Sequence, residues 1–213
     1  MTLHELGLKY GTDKATFHNF CETYDKYMNS YRDKEFNFLE IGILNGSSLL
    51  MWNEYFQKAN IIGADIMDKK NFDGGRIKTY IVNQEIPSQL LSIPGEFDII
   101  VEDGGHSMLQ QQVTLNVMID KVKSGGIFVL EDLHTSCPQF LGYQHFGGDD
   151  GNNTIRLLND LKNGKMSSND YYISESDFNT LLSKIKSIEI FELEPSNIGS
   201  QGCKSMTSII IKK

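Results

Sequence analysis

Ionisable side chains directly follow two apolar runs of the chain. The run at 97–100 leads into Val101–Ser107, which reads Val-Glu-Asp-Gly-Gly-His-Ser, and the run at 126–130 leads into an acidic pair. If the runs are neighbouring parallel strands, their carboxyl ends meet at one crevice, where ligands bind. Carboxylates there could hold a divalent cation, and an imidazole beside them could act as a general base. The candidates for this site are Asp103, His106, Glu131 and Asp132.

Each candidate also has a simpler explanation. Asp103 could cap the helix that starts near Ser107, and Asp132 could cap a turn. We see no packing role for the two glycines between Asp103 and His106, but they permit a sharp turn that could aim both side chains at one ligand. His106 precedes the expected helix, whose dipole would disfavour the imidazolium form, so we expect a neutral base at pH 7. His134 is the alternative base.

Strand-like and helix-like segments alternate through the first 130 residues, which indicates a mostly parallel, doubly wound α/β sheet. Two apolar segments near the C-terminus predict an antiparallel hairpin at the sheet edge, giving the seven-stranded, Rossmann-like sheet of class I methyltransferases. Aromatic spacings of three and four over 13–32 predict one amphipathic helix, with Asp13 as its cap. The predicted strands are 36–43, 61–66, 78–82, 97–102, 126–130, 185–193 and 206–211, and the later helices are 47–56, 88–93, 109–121 and 154–162.

A glycine turn follows the first predicted strand. Gly42 and Gly46 are spaced differently from the three glycines of a dinucleotide site, so a nucleoside-type cofactor is favoured over a pyrophosphate. Asp65 ends the second strand, where a carboxylate can accept hydrogen bonds from ribose hydroxyls. The polar pair Asn83-Gln84 follows the third strand and could face an adenine or ribose edge.

Composition bounds the remaining possibilities. The 213 residues fit a single domain, and the formal net charge of −8 argues against nonspecific nucleic-acid binding. No apolar run approaches the length of a membrane span, and the N-terminus does not resemble a signal peptide. Cys21, Cys137 and Cys203 fit no zinc or redox spacing, so we expect reduced thiols in a cytoplasmic protein.

Four motifs together resemble a known family. They are Tyr10-Gly11-Thr12-Asp13-Lys14 with His18 and Tyr24, then Phe38-Leu39-Glu40-Ile41-Gly42, then Asp103-Gly104-Gly105-His106-Ser107, and finally Glu131-Asp132. They are similar to the metal-dependent macrolide sugar O-methyltransferases, the mycinamicin 2″-O-methyltransferase group of S-adenosylmethionine-dependent enzymes. The resemblance covers about Leu6 to Leu133.

The resemblance implies the ligands and the role of each residue. Asp103, Glu131 and Asp132 would bind Mg²⁺, with Mn²⁺ or Ca²⁺ as alternatives, and His106 and Asp103 would be catalytic. S-adenosylmethionine would be the methyl donor and S-adenosylhomocysteine the product. The residues expected to contact this cofactor are Glu40, Gly42, Gly46, Ser47, Asp65, Asn83, Gln84 and Asp103, with Lys14 and His18 near its methionine end.

The leading hypothesis is metal-assisted O-methylation of a sugar or a sugar-containing small molecule. The alternatives are methyl transfer to a phosphorylated or amide metabolite, and a noncatalytic module that keeps the cofactor fold. We expect one domain with a helical cap over 1–34 and a substrate loop over 133–153, where Phe140, Tyr143, His145 and Phe146 could stack on a sugar or pack locally. A homo-oligomer is compatible with these expectations.

Overall fold

The computed structural model of the chain describes residues 1–149, 151–197 and 202–213. Its centre is a seven-stranded sheet in the order β3-β2-β1-β4-β5-β7-β6. The first five strands are parallel to one another, and β7 runs antiparallel to both β5 and β6. This confirms the predicted fold class. The strands are β1 Asn37–Ile41, β2 Asn60–Asp65, β3 Ile77–Ile81, β4 Phe97–Glu102, β5 Val122–Leu130, β6 Ile185–Leu193 and β7 Ser205–Lys212.

Helices cover both faces of the sheet because successive strand residues bury their side chains on opposite sides. In β4, Ile100 belongs to one apolar core, and Ile99 and Val101 belong to the other. No described helix is long and apolar enough to cross a membrane. The helices are α1 Leu3–Tyr10, α2 Asp13–Thr16, α3 Cys21–Met28, α4 Ser47–Tyr55, α5 Pro87–Ser92, α6 Met108–Met118, α7 Thr154–Asn163 and α8 Glu175–Lys184.

The single helix expected over 13–32 is wrong, because the chain turns sharply between α2 and α3. The amides of Phe17 and His18 both donate to the carbonyl of Asp13, and Asn19 has a left-handed φ of 60°. The Asn19 side chain donates to the carbonyl of Glu194, 2.7 Å away. A contact with a segment 175 residues later therefore stabilises a break that local aromatic spacing cannot reveal.

The strand order reverses between β1 and β4, and the backbones of the two strand ends approach closely there. The amide of Asp103 donates to the carbonyl of Ile41 at 2.8 Å. A Cβ added to Gly42, whose φ is 95°, would lie 1.8 Å from the carbonyl oxygen of Asp103. Only glycine fits this position, which lies at the switch point where open α/β sheets bind their ligands.

Candidate functional site

A buried lysine lies among three carboxylates at the carboxyl end of the sheet. Lys14 Nζ contacts Asp103 Oδ2, lies 3.0 Å from Glu131 Oε2 and is 3.8 Å from Glu40 Oε1. The Lys14 side chain is fully buried. Although burial lowers the Lys14 pKa, the surrounding carboxylates more than offset this and hold the pKa well above its ordinary value.

Three imidazoles surround the carboxylate of Asp132. His106 Nε2 lies 3.2 Å from Oδ2, while His18 Nε2 and His134 Nδ1 each lie 3.6 Å from Oδ1. Burial opposes ionisation of Asp132, but these rings outweigh it and lower the Asp132 pKa. The site therefore keeps an ionised carboxylate in contact with His106.

At three neighbouring carboxyl groups, burial is the dominant effect and the pKa is raised rather than lowered. Burial raises the pKa values of Glu40 and Glu102 to about 7, and that of Glu131 well above its ordinary value. Each of these groups also keeps one buried oxygen without a hydrogen-bond partner. The carboxyl groups around Lys14 thus outnumber its single positive charge. Such an excess of carboxyl groups favours the binding of a further cation.

The expectation that His106 is held neutral by a helix dipole is wrong. His106 does precede α6, whose cap is Ser107. Burial is the largest effect and lowers its pKa, but Asp132, Asp103 and Glu102 together raise that pKa above the ordinary value. The charge of the neighbouring carboxylates therefore outweighs burial in setting the pKa of this ring.

The backbone at His106 and Asp132 is strained. Both residues have left-handed φ values, 60° and 52°, which are uncommon outside glycine. The Thr135 hydroxyl contacts the carbonyls of His106 and Asp132 at 2.9 and 3.0 Å, so it holds the two turns together. Strain maintained by such contacts is typical of functional sites.

The two glycines before His106 have a packing role that the sequence did not reveal. A Cβ on Gly104 would lie 1.8 Å from the amide oxygen of Gln84, and one on Gly105 would lie 2.2 Å from that of Gln110. The Gln84 amide donates to Glu102 at 2.6 Å and accepts from the Gly105 amide at 3.0 Å. Gln84 therefore supports the turn as well as bordering the adjacent cavity.

A cavity of about 300 Å³ opens beside this turn, at the ends of β1, β2 and β3. Leu44, Ile66 and Met67 border it and are 77%, 64% and 63% exposed. Exposed apolar side chains at a cavity mouth commonly mark a ligand site. Of the residues expected to contact a cofactor, those bordering this cavity are Gly42, Asp65, Asn83, Gln84 and Asp103.

Asp65 both shapes the cavity and offers it an acceptor. Its Oδ2 accepts from the amides of Ile43 and Leu44 at 2.8 and 3.1 Å, and its Oδ1 accepts from the amide of Met67 at 2.8 Å. An ionised carboxylate has about four lone-pair sites. Three amides therefore leave about one site for a ligand hydroxyl.

A second cavity of about 260 Å³ adjoins Asp103. Asp103, Asp13 and Ser47 border it, and Ser47 is the first residue of α4. Gly46 precedes that helix, and the Phe72 ring fills the space that a side chain at Gly46 would need. Two adjoining cavities on either side of Asp103 suit a ligand with two chemically different ends.

The remaining predicted residues lie away from these cavities within the described part of the chain. Glu40 accepts from Trp52 Nε1 at 3.0 Å and, like Lys14, is completely buried. His18 lies with Asp132. Glu131 faces Lys14, whereas the ligand atoms of Asp103, His106 and Asp132 lie within 4.8 Å of one another. Cofactor contacts for Glu40, Lys14 and His18, and a metal role for Glu131, stay predictions.

Two site residues escaped sequence analysis. Glu102 ends β4 one position before Asp103, and its carboxylate lies inside the turn. Strand alternation could have identified it, because its side chain must point to the opposite side from Asp103. Leu44 has a left-handed φ of 47° and borders both cavities. No local signal distinguishes this leucine from one in the core.

The segment after Asp132 contains a short 3₁₀ helix at Leu133–Ser136. Its other described residues up to 153 form neither a helix nor a strand. Phe140 packs edge-on against His134, with ring centroids 5.0 Å apart, and also contacts Phe146. Leu141 is 79% exposed. Part of the aromatic set thus packs locally, beside the imidazoles around Asp132.

Comparison with known proteins identifies the fold. The methyltransferase MycE of the mycinamycin biosynthetic pathway, solved with Mg, SAH and mycinamycin VI, superposes with a TM-score of 0.79 and 26% identity, over 100% of this chain and 54% of that one. The chain has the class I methyltransferase fold. No protein-family model matches it.

The sequence relatives confirm the resemblance. The chain is 30% identical over 170 residues to 8-demethyl-8-alpha-L-rhamnosyl tetracenomycin-C 2'-O-methyltransferase from Streptomyces olivaceus, covering 75% of this chain and 44% of the relative. It is 35% identical over 158 residues to demethylmacrocin O-methyltransferase from Streptomyces fradiae, covering 69% and 39%. The chain is thus similar in sequence to these two O-methyltransferases but spans less than half the length of either.

Proposed function

We propose that this chain is an S-adenosylmethionine-dependent, divalent-metal-assisted O-methyltransferase that acts on a hydroxyl of a sugar or sugar-containing small molecule. One observation carries the proposal: Asp103 borders both cavities and also belongs to the cluster with His106 and Asp132. A methyl donor in the cavities and an acceptor at the cluster would meet at this residue.

The cavities fit the two ends of the cofactor. The remaining acceptor site of Asp65 suits a ribose hydroxyl, and the exposed side chains of Ile66 and Met67 offer an apolar surface for a base. Asp13 and the start of α4 at Ser47 suit the ammonium and carboxylate groups of the amino-acid end. S-adenosylmethionine would supply a methyl group bonded to a sulfonium sulfur, which is a good leaving group because it departs as a neutral thioether.

The donor set also fits a hard divalent cation. Asp103 and Asp132 supply carboxylates beside His106, and Glu131 Oε1 is buried with no hydrogen-bond partner among the described residues. Magnesium favours such oxygen ligands, with Mn²⁺ or Ca²⁺ next. When bound, the cation would supply positive charge that lowers the pKa values of an acceptor hydroxyl and of His106.

His106 is the proposed general base. Its Nε2 faces Asp132 Oδ2, whereas its Nδ1 is buried and has no hydrogen-bond partner. With the Nε2 hydrogen donated to Asp132, Nδ1 would take the hydroxyl proton while the acceptor oxygen attacks the methyl carbon. The oxygen–carbon bond would form as the carbon–sulfur bond breaks, and S-adenosylhomocysteine would leave. Asp132 would stabilise the resulting imidazolium. The Thr135 hydroxyl contacts the backbone carbonyls of His106 and Asp132 and so holds the two residues next to each other.

The acceptor is proposed to bind against 133–153. Leu141 offers an exposed apolar surface, and its neighbour Phe140 packs against His134 and contacts Phe146. A sugar ring has apolar faces that stack on such side chains. We further propose that 1–213 acts as one domain in the cytoplasm on a small molecule rather than on nucleic acid, as the net charge of −8 supports, with homo-oligomers allowed.

Calorimetry and mass spectrometry test the proposal. The chain should bind S-adenosylhomocysteine and, with Mg²⁺, methylate members of a panel of simple glycosides such as methyl α-L-rhamnoside, in preference to phosphorylated or amide compounds. His106→Ala and Asp103→Ala should each lose on the order of 10²-fold or more in turnover and keep S-adenosylhomocysteine binding. His4→Ala, at a half-buried histidine outside both cavities, is the matched control.

Three results would contradict parts of this function. Absence of S-adenosylhomocysteine binding would favour a noncatalytic module. Full activity of Asp103→Ala in the presence of a chelator would remove the metal role. Preference for non-sugar acceptors would replace the substrate class.

A further inference from the structure

Oδ1 of Asp132 faces two imidazole nitrogens on the side away from His106. His18 Nε2 and His134 Nδ1 are each 3.6 Å from this oxygen, and the three residues are buried, with at most 8% of their surface exposed. A separation of 3.6 Å is too long for a hydrogen bond. Two atoms bound at about 2.0–2.1 Å to one tetrahedral ion are roughly 3.4 Å apart, so an ion between them fits this spacing.

Two of these atoms have no partner of their own. Asp132 Oδ1 and His134 Nδ1 are buried and make no hydrogen bond. Leaving such groups unsatisfied costs about 1–3 kcal/mol each. An oxygen and a nitrogen that approach the same space without a hydrogen bond are both satisfied by one cation placed between them.

The His18 ring is held in place through its other nitrogen. His18 Nδ1 lies 2.7 Å from the Ser205 hydroxyl, which leaves Nε2 directed at Asp132. When Nδ1 donates its hydrogen to Ser205, Nε2 presents a lone pair. Metal-binding histidines are usually held through the second ring nitrogen in this way.

We infer that His18, Asp132 and His134 form a site for a transition-metal ion of the zinc class. Two imidazoles and one carboxylate favour zinc, cobalt or nickel over magnesium, which prefers oxygen ligands. The site is separate from the proposed magnesium position, although both use Asp132, one through each oxygen. It does not depend on methyl transfer, since only the three side chains define it.

The ion would join two distant parts of the chain. His18 lies in the turn after α2, Asp132 follows β5, and His134 lies in the 3₁₀ helix behind it. Fixing Oδ1 would also fix the opposite oxygen, which faces His106. A bound ion would therefore connect the N-terminal segment to the position of the proposed base.

Cobalt(II) is the probe that tests the site, because its visible absorption reports imidazole ligands and tetrahedral geometry. The full chain is titrated with Co²⁺ in excess Mg²⁺. We expect one tightly bound ion with strong visible absorption, which zinc displaces. His18→Ala and His134→Ala should each weaken binding at least tenfold, and Ser205→Ala should weaken it less, whereas His145→Ala should bind as wild type does.

Several outcomes would overturn the site. These are no cobalt binding by the wild-type chain, binding unchanged in His18→Ala and His134→Ala, or binding lost in His106→Ala but not in His18→Ala, which would locate the ion at the other cluster. Circular dichroism checks folding, and if either alanine variant fails to fold, His18→Gln and Ser205→Ala take its place under the same criteria. Failure of the proposed function would abolish S-adenosylhomocysteine binding and leave cobalt binding intact, so the two failures are distinguishable.

Discussion

Nζ of Lys14 lies 3.0 Å from Oε2 of Glu131, although the two residues are 117 positions apart. This contact brings the N-terminal segment into the carboxylate cluster, because Nζ also contacts Asp103 on β4's loop. The lysine is the resident cation of a cluster that would otherwise hold only buried carboxylates and imidazoles. We therefore expect removal of the lysine to lower the free energy of unfolding.

Lys14→Met should destabilise the fold by about 3–5 kcal/mol, because it leaves buried carboxylates without their partner. Urea unfolding measures this loss. Mg²⁺ should restore more stability to the variant than to the wild type, since the carboxylates lack another cation.

Lys9→Met is the control for Lys14→Met. Lys9 forms an ion pair with Glu54 that is exposed at the surface. We expect little change in unfolding free energy from its loss. Equal destabilisation by the two substitutions would contradict the role given to Lys14.

Gly42→Ala tests the close approach of β1 and β4. Gly42 and Gly95 share a φ of 95°, but an added Cβ meets the Asp103 carbonyl only at Gly42, and nothing described lies within 4 Å of one at Gly95. Both substitutions should cost about 1–2 kcal/mol for the backbone conformation. Gly42→Ala should cost more and also weaken S-adenosylhomocysteine binding, as thermal unfolding and calorimetry would measure.

The matched glycines separate strain from steric contact. If Gly95→Ala destabilises as much as Gly42→Ala and ligand binding is equal, the approach of the two strand ends has no functional consequence.

The raised pKa of Glu40 predicts an unusual pH dependence of stability. Burial raises this pKa from 4.5 to about 7, so the folded state binds a proton more tightly than the unfolded state. The contribution is fully present below pH 4.5 and is lost as the pH rises through about 7. Urea unfolding in chelator should therefore show stability falling over this range, and Glu40→Gln should show a smaller fall.

Glu35→Gln, at an exposed glutamate, is the matched control and should keep the wild-type slope. Trp52, the single tryptophan, donates to Glu40 and gives a second readout. Its fluorescence should change with a midpoint near pH 7 in the wild type. An unchanged slope in Glu40→Gln would contradict the assignment.

Thiol reactivity should be low in the folded chain. Burial raises the pKa values of Cys21 and Cys137 to about 12, so few thiolates are present at pH 8. Titration with a chromogenic disulfide reagent should be slow for the native protein and should count three thiols after denaturation. Rapid reaction of two thiols in the native state would contradict the described burial.

The sequence predicted the parts of the site that follow strands. β4 and β6 have the predicted bounds, and the meeting of His106 with Asp132 follows from two adjacent parallel strands.

The other contacts depend on tertiary structure. Lys14 reaches Asp103 only because the chain breaks after α2, and that break is held by Glu194 and Ser196, which bind Asn19 and Phe17. Aromatic spacing cannot encode such long-range contacts. The upward shift of the His106 pKa could not be predicted for the same reason, since the carboxylates that raise it follow neighbouring strands.

The contact between His18 and Ser205 sets an order of events during synthesis. Ser205 begins β7, which inserts between β5 and β6. Until the ribosome has made that last strand, His18 has no anchor and the sheet has no seventh member. Domains fold as units while synthesis proceeds at about 5–20 residues per second. The nascent chain therefore contains Gly42, His106 and Asp132 for some seconds before Ser205 can fix the ring of His18.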